Sequence, residues 1–265
     1  MPRALDAGPV NATPLPTASV AAFLNPEKLP AYSGPTGIVE GTITVVGPAA
    51  PASTASFTGC PEAAETYGRE FREGKPDAPD GPRWLADAVV AVTGYRGFYV
   101  QEQNEAVDLT IERCAFAKRT VTMTFGQRLE VRNRTNQFWT PMLQPAQQPM
   151  MMMATPGGDP ARLYPKKPGR YLLVDHDRKF ATADLFAFLH PLHTSSAIGG
   201  KYRIEGVPVG KVKVNATHPH MQGDEVSVDL DVKPGVVHKV DLKLVHTPET
   251  KDAGKSDGGY YPPLH

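Results

Sequence analysis

Proline occurs 27 times and glycine 24 times in 265 residues, and the apolar stretches between them are short and β-branched. Proline removes a backbone donor and breaks helices and central strands alike. Glycine supplies the turns. A chain punctuated this often is confined to short strands joined by turns, so its fold class is all-β, as sandwich or barrel. The runs at 38–46, 88–92, 107–111, 121–125, 129–132, 169–174 and 184–189 carry strand composition, followed by 201–204, 211–216, 225–230 and 236–244. Gly126-Gln127 is a turn between two of them. The one helix signal is 61–71, where Pro61 follows Cys60 and Glu and Ala come next.

The ends differ from the middle. Residues 1–35 are rich in Pro, Ala, Thr and Asn without periodicity and read as an extended or disordered arm; Phe23, Leu24 and Leu29 offer a way to dock it. Residues 247–265 read as a flexible tail. The 28 basic and 28 acidic side chains cancel, which argues against nucleic acid or an anionic membrane as the main partner. No apolar run approaches a transmembrane span. The start at Met1 lacks a signal-peptide pattern, so an export signal or lipoprotein anchor would lie upstream. Cys60 and Cys114 either close one disulfide or are two buried thiols; a chain that otherwise reads as exported favours the bridge.

The order of the motifs resembles a bacterial family of plastocyanin/azurin-like (cupredoxin, methylamine-utilisation-like) proteins that also carry a carboxypeptidase-regulatory-like, transthyretin-type domain. The resemblance spans about 37–245. Gly37-Ile38-Val39-Glu40-Gly41-Thr42-Ile43 is similar to the first regulatory-like strand, and Gly200 to Gly210 to its hairpin and Pro-x-Gly turn. Phe125 to Asn133 resembles the cupredoxin strand motif, and Lys167-Pro168-Gly169-Arg170-Tyr171 the strand entering the copper loop. Cys60 with its following helix, and Cys114-Ala115-Phe116, resemble the two cysteines that the family pairs. The resemblance implies a cupredoxin-like Greek-key sandwich over 50–190, inserted into a small transthyretin-like sandwich made of 36–49 and 191–246.

A blue-copper site takes a thiolate and two imidazoles near one plane, with a weak axial ligand. Where the family has its first histidine this chain has Asn133-Arg134-Thr135-Asn136-Gln137-Phe138-Trp139-Thr140, and where it has the Cys-to-His loop this chain has Asp175-His176-Asp177-Arg178-Lys179-Phe180-Ala181. Neither cysteine has a histidine in the 60 residues after it, so the type 1 ligand set is missing. Weaker metal candidates remain. His190 and His193 flank Pro191-Leu192, and His218 and His220 would share a face of a strand. Met150 and Met152 belong to a run of four methionines whose thioethers suit Cu(I). Structural imidazoles and an adaptable methionine contact surface are the competing readings.

No Gly-x-Ser-x-Gly, phosphate-cradling glycine loop or His-Glu-x-x-His occurs. Asp175-His176-Asp177 is the one pattern that would orient an imidazole, and Trp139, Phe138, Tyr95, Phe98 and Tyr99 would suit either a sugar platform or core filling. The expectation is therefore a non-catalytic, extracytoplasmic structural or interaction protein without a cofactor. It would be an accessory subunit among other proteins of an envelope assembly, in the periplasm or on the outer-membrane surface. The alternative is a copper-handling protein with a nonstandard Met/His site.

Overall fold

The computed structural model describes residues 14–75, 78, 81–144, 152–221 and 225–247. The fold is all-β. In chain order the strands are β1 (Thr36–Val46), β2 (Arg83–Trp84), β3 (Val89–Thr93), β4 (Ala106–Glu112), β5 (Ala115–Phe116), β6 (Thr120–Thr124), β7 (Arg128–Asn133) and β8 (Pro141–Gln144). They continue with β9 (Ala161–Leu163), β10 (Gly169–Asp175), β11 (Thr182–Phe188), β12 (His193–Ser195), β13 (Lys201–Pro208), β14 (Gly210–Thr217), β15 (Val226–Val232), β16 (Val237–Lys239) and β17 (Leu242–Val245). Two sandwiches result.

In the first, the sheet β6-β11-β10-β8 faces β5-β4-β7-β9 over a core that includes Leu109, Ile111, Phe116, Leu129, Trp139, Tyr171 and Leu185. Each sheet holds one parallel pair, β11 with β6 and β4 with β7. The Gly126 turn therefore carries the chain from one sheet to the other and does not close a hairpin. Gly126 has φ +101°, the Gln127 side-chain oxygen accepts the Thr124 N–H, and Val20 leaves no room for a Cβ at Gly126.

In the second sandwich, β1 pairs with β13 on one side and with β16, then β17, on the other. The expected single run 236–244 is thus two strands. At their break the Val240 carbonyl comes so near Gly41 that any Cβ there would overlap it, while the Tyr202 hydroxyl donates to that carbonyl at 2.6 Å. The opposite sheet is β12-β3-β14-β15.

Strand β3 explains why the run at 88–92 is apolar throughout rather than alternating. Val90 and Val92 point into the second core, whereas Val89 and Ala91 meet Phe186 and Phe188 of β11, forming a seam between the sandwiches. Alternation on β11 sends Leu185 and Ala187 into the first core and the two phenylalanines outward to that seam.

Three expectations change. The boundary at residue 50 does not hold, because β3 pairs with β14 and β12, and Ala50, Phe71 and Leu85 lie in the second core. An apolar run shows that a strand is buried, not in which sheet. The arm, from residue 14 onward, contains α1 (Thr17–Leu24), whose Phe23 packs edge-on to Phe125 at 5.2 Å, and Ala31 bridges to Tyr99. Residues 1–13 and nearly all of 247–265 lie outside the described residues. The helix signal at 61–71 yields only a 3-10 turn, Pro61–Ala63, and α2 (Ala64–Tyr67), which ends at Gly68.

Candidate functional site

Cys60 and Cys114 are joined by a disulfide, which ties the segment before α2 to the turn after β4. Both cysteine sulfurs of the chain are thereby consumed.

The two segments that stand where the resemblance puts copper ligands do meet, at one apex of the first sandwich. β10 runs out at Asp175 beside the start of β8, and the backbone is tied across: the His176 N–H donates to the Thr140 carbonyl, and the Thr140 N–H to Asp175 Oδ2 at 2.7 Å. Asp175 is wholly buried, and its Oδ1 accepts the N–H groups of Arg178 at 2.8 Å and Asp177 at 3.2 Å. Backbone donors and the Arg178 guanidinium at 3.5 Å satisfy a carboxylate that burial would otherwise make costly.

Trp139 fills the space between the loops. Its ring is wholly buried, its Nε1–H donates to Thr135 Oγ1 at 3.1 Å, and the Arg178 guanidinium lies over it at 4.5 Å. Arg178 also donates to the Phe138 carbonyl and to Gln137 Oε1. Asn133 uses all of its hydrogen-bonding capacity. Its Nδ2 donates to the carbonyls of Gln137 and Ala154, and its Oδ1 accepts the N–H and hydroxyl of Thr135. His176 stays outside, half-exposed, paired with Asp177 at 3.0 Å; that imidazole holds the Asp177 carboxyl below the usual range.

A blue copper does not fit these residues: the thiols are bonded to each other, and an indole and a guanidinium occupy the gap between the loops. On the outer side, Phe138 is 59% and Met153 54% exposed, on the two segments joined by the Trp139–Ala154 bridge. Met152 packs half-buried against the first core, and Met150 lies outside the described residues.

The histidines sit elsewhere, at the seam and its border. His193 stacks on Phe188 at 4.6 Å, and His190 lies 6.2 Å from it, against Phe188 and Tyr95. The Thr124 hydroxyl donates to Glu102 at 2.6 Å, so its oxygen accepts from His193 Nε2–H at 3.3 Å, and the lone pair of Nδ1 is left buried and unmatched. Burial pushes His190 down to about 4; burial, with His190 adding to it, pushes His193 down to about 3.

His218 and His220 do not share a strand face, because β14 ends at Thr217 and both fall in the turn beyond it. The His220 N–H donates to His218 Nδ1 at 3.2 Å, and His218 is pushed down to about 3, chiefly by burial. The His220 ring turns away to Asp184 at 3.2 Å. Burial pushes the Asp184 carboxyl up, but His220 and Arg170 outweigh it and hold that carboxyl below the usual range. Among the described residues, no group of three or more His, Cys, Asp or Glu side chains is placed to hold a metal ion.

The aromatic residues weighed as a sugar platform are likewise split. Trp139 belongs to the first core, whereas Tyr95 packs against the second and stacks on Phe98, which in turn meets Tyr32. Sequence reasoning overlooked Asp175 and Arg178 as fillers of the apex. The signal available was an acidic residue directly ending an apolar strand, followed three residues later by arginine.

No protein-family model matches this chain, and no curated protein matches it. Among solved structures it is similar to amicyanin from Paracoccus versutus (Thiobacillus versutus), at 14% identity and a TM-score of 0.28, over 32% of this chain and 84% of that one. A reduced tryptophan-to-tyrosine mutant of amicyanin gives 11% identity and a TM-score of 0.29, over 33% and 86%. A methionine-to-alanine mutant of amicyanin with Cu(I) gives 12% and 0.26, over 33% and 86%.

Proposed function

We propose that this chain is a non-catalytic, extracytoplasmic interaction protein: a cupredoxin-like sandwich whose metal end has been closed, carried by a second, transthyretin-like sandwich. The observation that carries the reading is the apex, where Trp139, Arg178 and Asp175 fill the interior while Phe138 and Met153 present apolar surface outside. A closed, cross-tied end cannot exchange a ligand, but it holds two exposed apolar side chains at a fixed place, which suits contact with another protein. The Cys60–Cys114 bridge supports an oxidising compartment. No helix among the described residues is long and apolar enough to cross a membrane. On this reading the protein needs no cofactor.

The reading is tested by placing a photo-cross-linking amino acid at Phe138 in cells that make the protein, with Ile198, also exposed, as the control position. A discrete protein adduct is expected from position 138, lost when Met153→Asp is added, and absent from position 198. The same pattern from both positions, or none from either, overturns the apex as a contact surface.

A further inference from the structure

Arg72, Arg83, Arg119 and Arg170 differ in one respect. Arg72 holds Asp87 through two bonds, Arg83 holds Glu73, and Arg170 holds Asp184. Arg119 is 7% exposed, yet among the described residues no carboxylate lies within 4 Å of its guanidinium. Asp87 accepts the Arg119 backbone N–H at 3.0 Å and acts on the guanidinium through space, from beyond ion-pair distance. The guanidinium lies over the Tyr67 ring at 5.6 Å, and Nη1 donates to the carbonyls of Arg69 at 2.8 Å and Thr66 at 3.4 Å. A guanidinium this buried, whose charge Asp87 and Asp184 balance only from beyond 4 Å, forms an arrangement that folding alone does not favour.

Arg119 lines a cleft of about 360 Å³ together with Arg69, His220, Ser53, Thr182 and Phe180. Arg69 is exposed and uses Nη1 on the Ala50 carbonyl; like Arg119, it has no carboxylate within ion-pair distance among the described residues. Ser53 and Thr182 add hydroxyls. Phe180, edge-on to Tyr67 and Phe57, forms an apolar wall. The one acidic side chain of the lining, Glu70, is exposed and makes no ion pair among the described residues. Two guanidiniums and two hydroxyls around an opening this size match an oxyanion, which takes planar paired N–H donors well. The apolar wall suits an organic group attached to it.

We propose that this cleft binds a phosphate, sulfate or carboxylate group, with Arg119 as its buried partner and Arg69 at the entrance. The site is independent of the closed apex and would stand if that reading failed.

Calorimetric titration of the full chain with inorganic phosphate, phenyl phosphate and benzoate, at constant ionic strength with chloride as counter-ion, tests it. Saturable binding of at least one oxyanion is expected, weakened more than tenfold by Arg119→Met and less by Arg69→Ala, with Arg113→Ala unchanged. A gain for phenyl phosphate over phosphate identifies an anion carried on an organic group; equal affinity identifies the free ion. Ser53→Glu, which leaves Arg119 in place and puts a competing carboxylate in the cleft, also abolishes binding and serves if Arg119→Met does not fold. No saturable binding of any of the three, or affinity unchanged in both Arg119→Met and Ser53→Glu, overturns the site.

Discussion

The apex of the first sandwich and the seam between the sandwiches both bury polar groups, and they treat them in opposite ways. At the apex each buried group has its complement: Asp175 takes backbone N–H groups and Arg178, Asn133 makes four bonds, and the Trp139 N–H finds Thr135. At the seam, His190 and His193 each leave a buried nitrogen unmatched, as does His218 close by, and beside Tyr67 the buried Arg119 has no carboxylate within 4 Å among the described residues. Complete matching marks a region finished by folding alone. Leftover donors and acceptors mark the region where a proton or a ligand can still change the balance. The place where the sequence resemblance points to chemistry is thus the one whose buried polar groups are already matched.

The sharpest way to break this contrast is to empty the apex. Trp139→Ala removes a fully buried indole and the surface on which Arg178 rests, and a loss of about 4 kcal/mol of stability is expected, read from urea unfolding. A loss under about 1 kcal/mol would mean the apex collapses or opens easily and is not the rigid end described above.

A smaller effect separates the seam by pH. His190, His193 and His218 have folded pKa values pushed below the unfolded value of about 6.5. The unfolded chain therefore takes up protons that the fold refuses. Stability is fully present above pH ~6.5 and is lost as pH falls toward 4 and 3. Between pH 6.5 and 5 each imidazole contributes up to about 2 kcal/mol of that loss. Asp184, held below the carboxylate range, adds its own loss only at lower pH. His193→Phe, which keeps the stack on Phe188, is expected to flatten the fall in urea midpoint by one imidazole's share. An identical slope in the variant would show that His193 is hydrated and the seam open.

The long strands were legible because their apolar residues repeat over five residues or more, as in β1, β4, β10 and β14. Strands β2, β5, β8, β9 and β12 were not, since two to four residues carry no period and exist only through their neighbours. Helix α1 hid in a Pro- and Ala-rich segment, with weak amphipathic order and its ordering contact on Phe125, a hundred residues away. That neither cysteine begins a Cys-to-His loop could be read from two cysteines and eight histidines by spacing alone. The bonding inside the apex and the unmatched Arg119 could not, because both depend on residues brought together from distant strands.

The most direct test of the closed apex is copper itself: the full chain, purified without chelator, assayed for metal and titrated with Cu(I) and Cu(II). No stoichiometric copper and no intense blue absorption are expected, because both cysteines are bonded and Trp139 and Arg178 occupy the gap between the loops. One equivalent of tightly held copper would contradict the account. It would move the chemistry to the methionine and histidine side chains named as the alternative, beginning with Met150 and Met152.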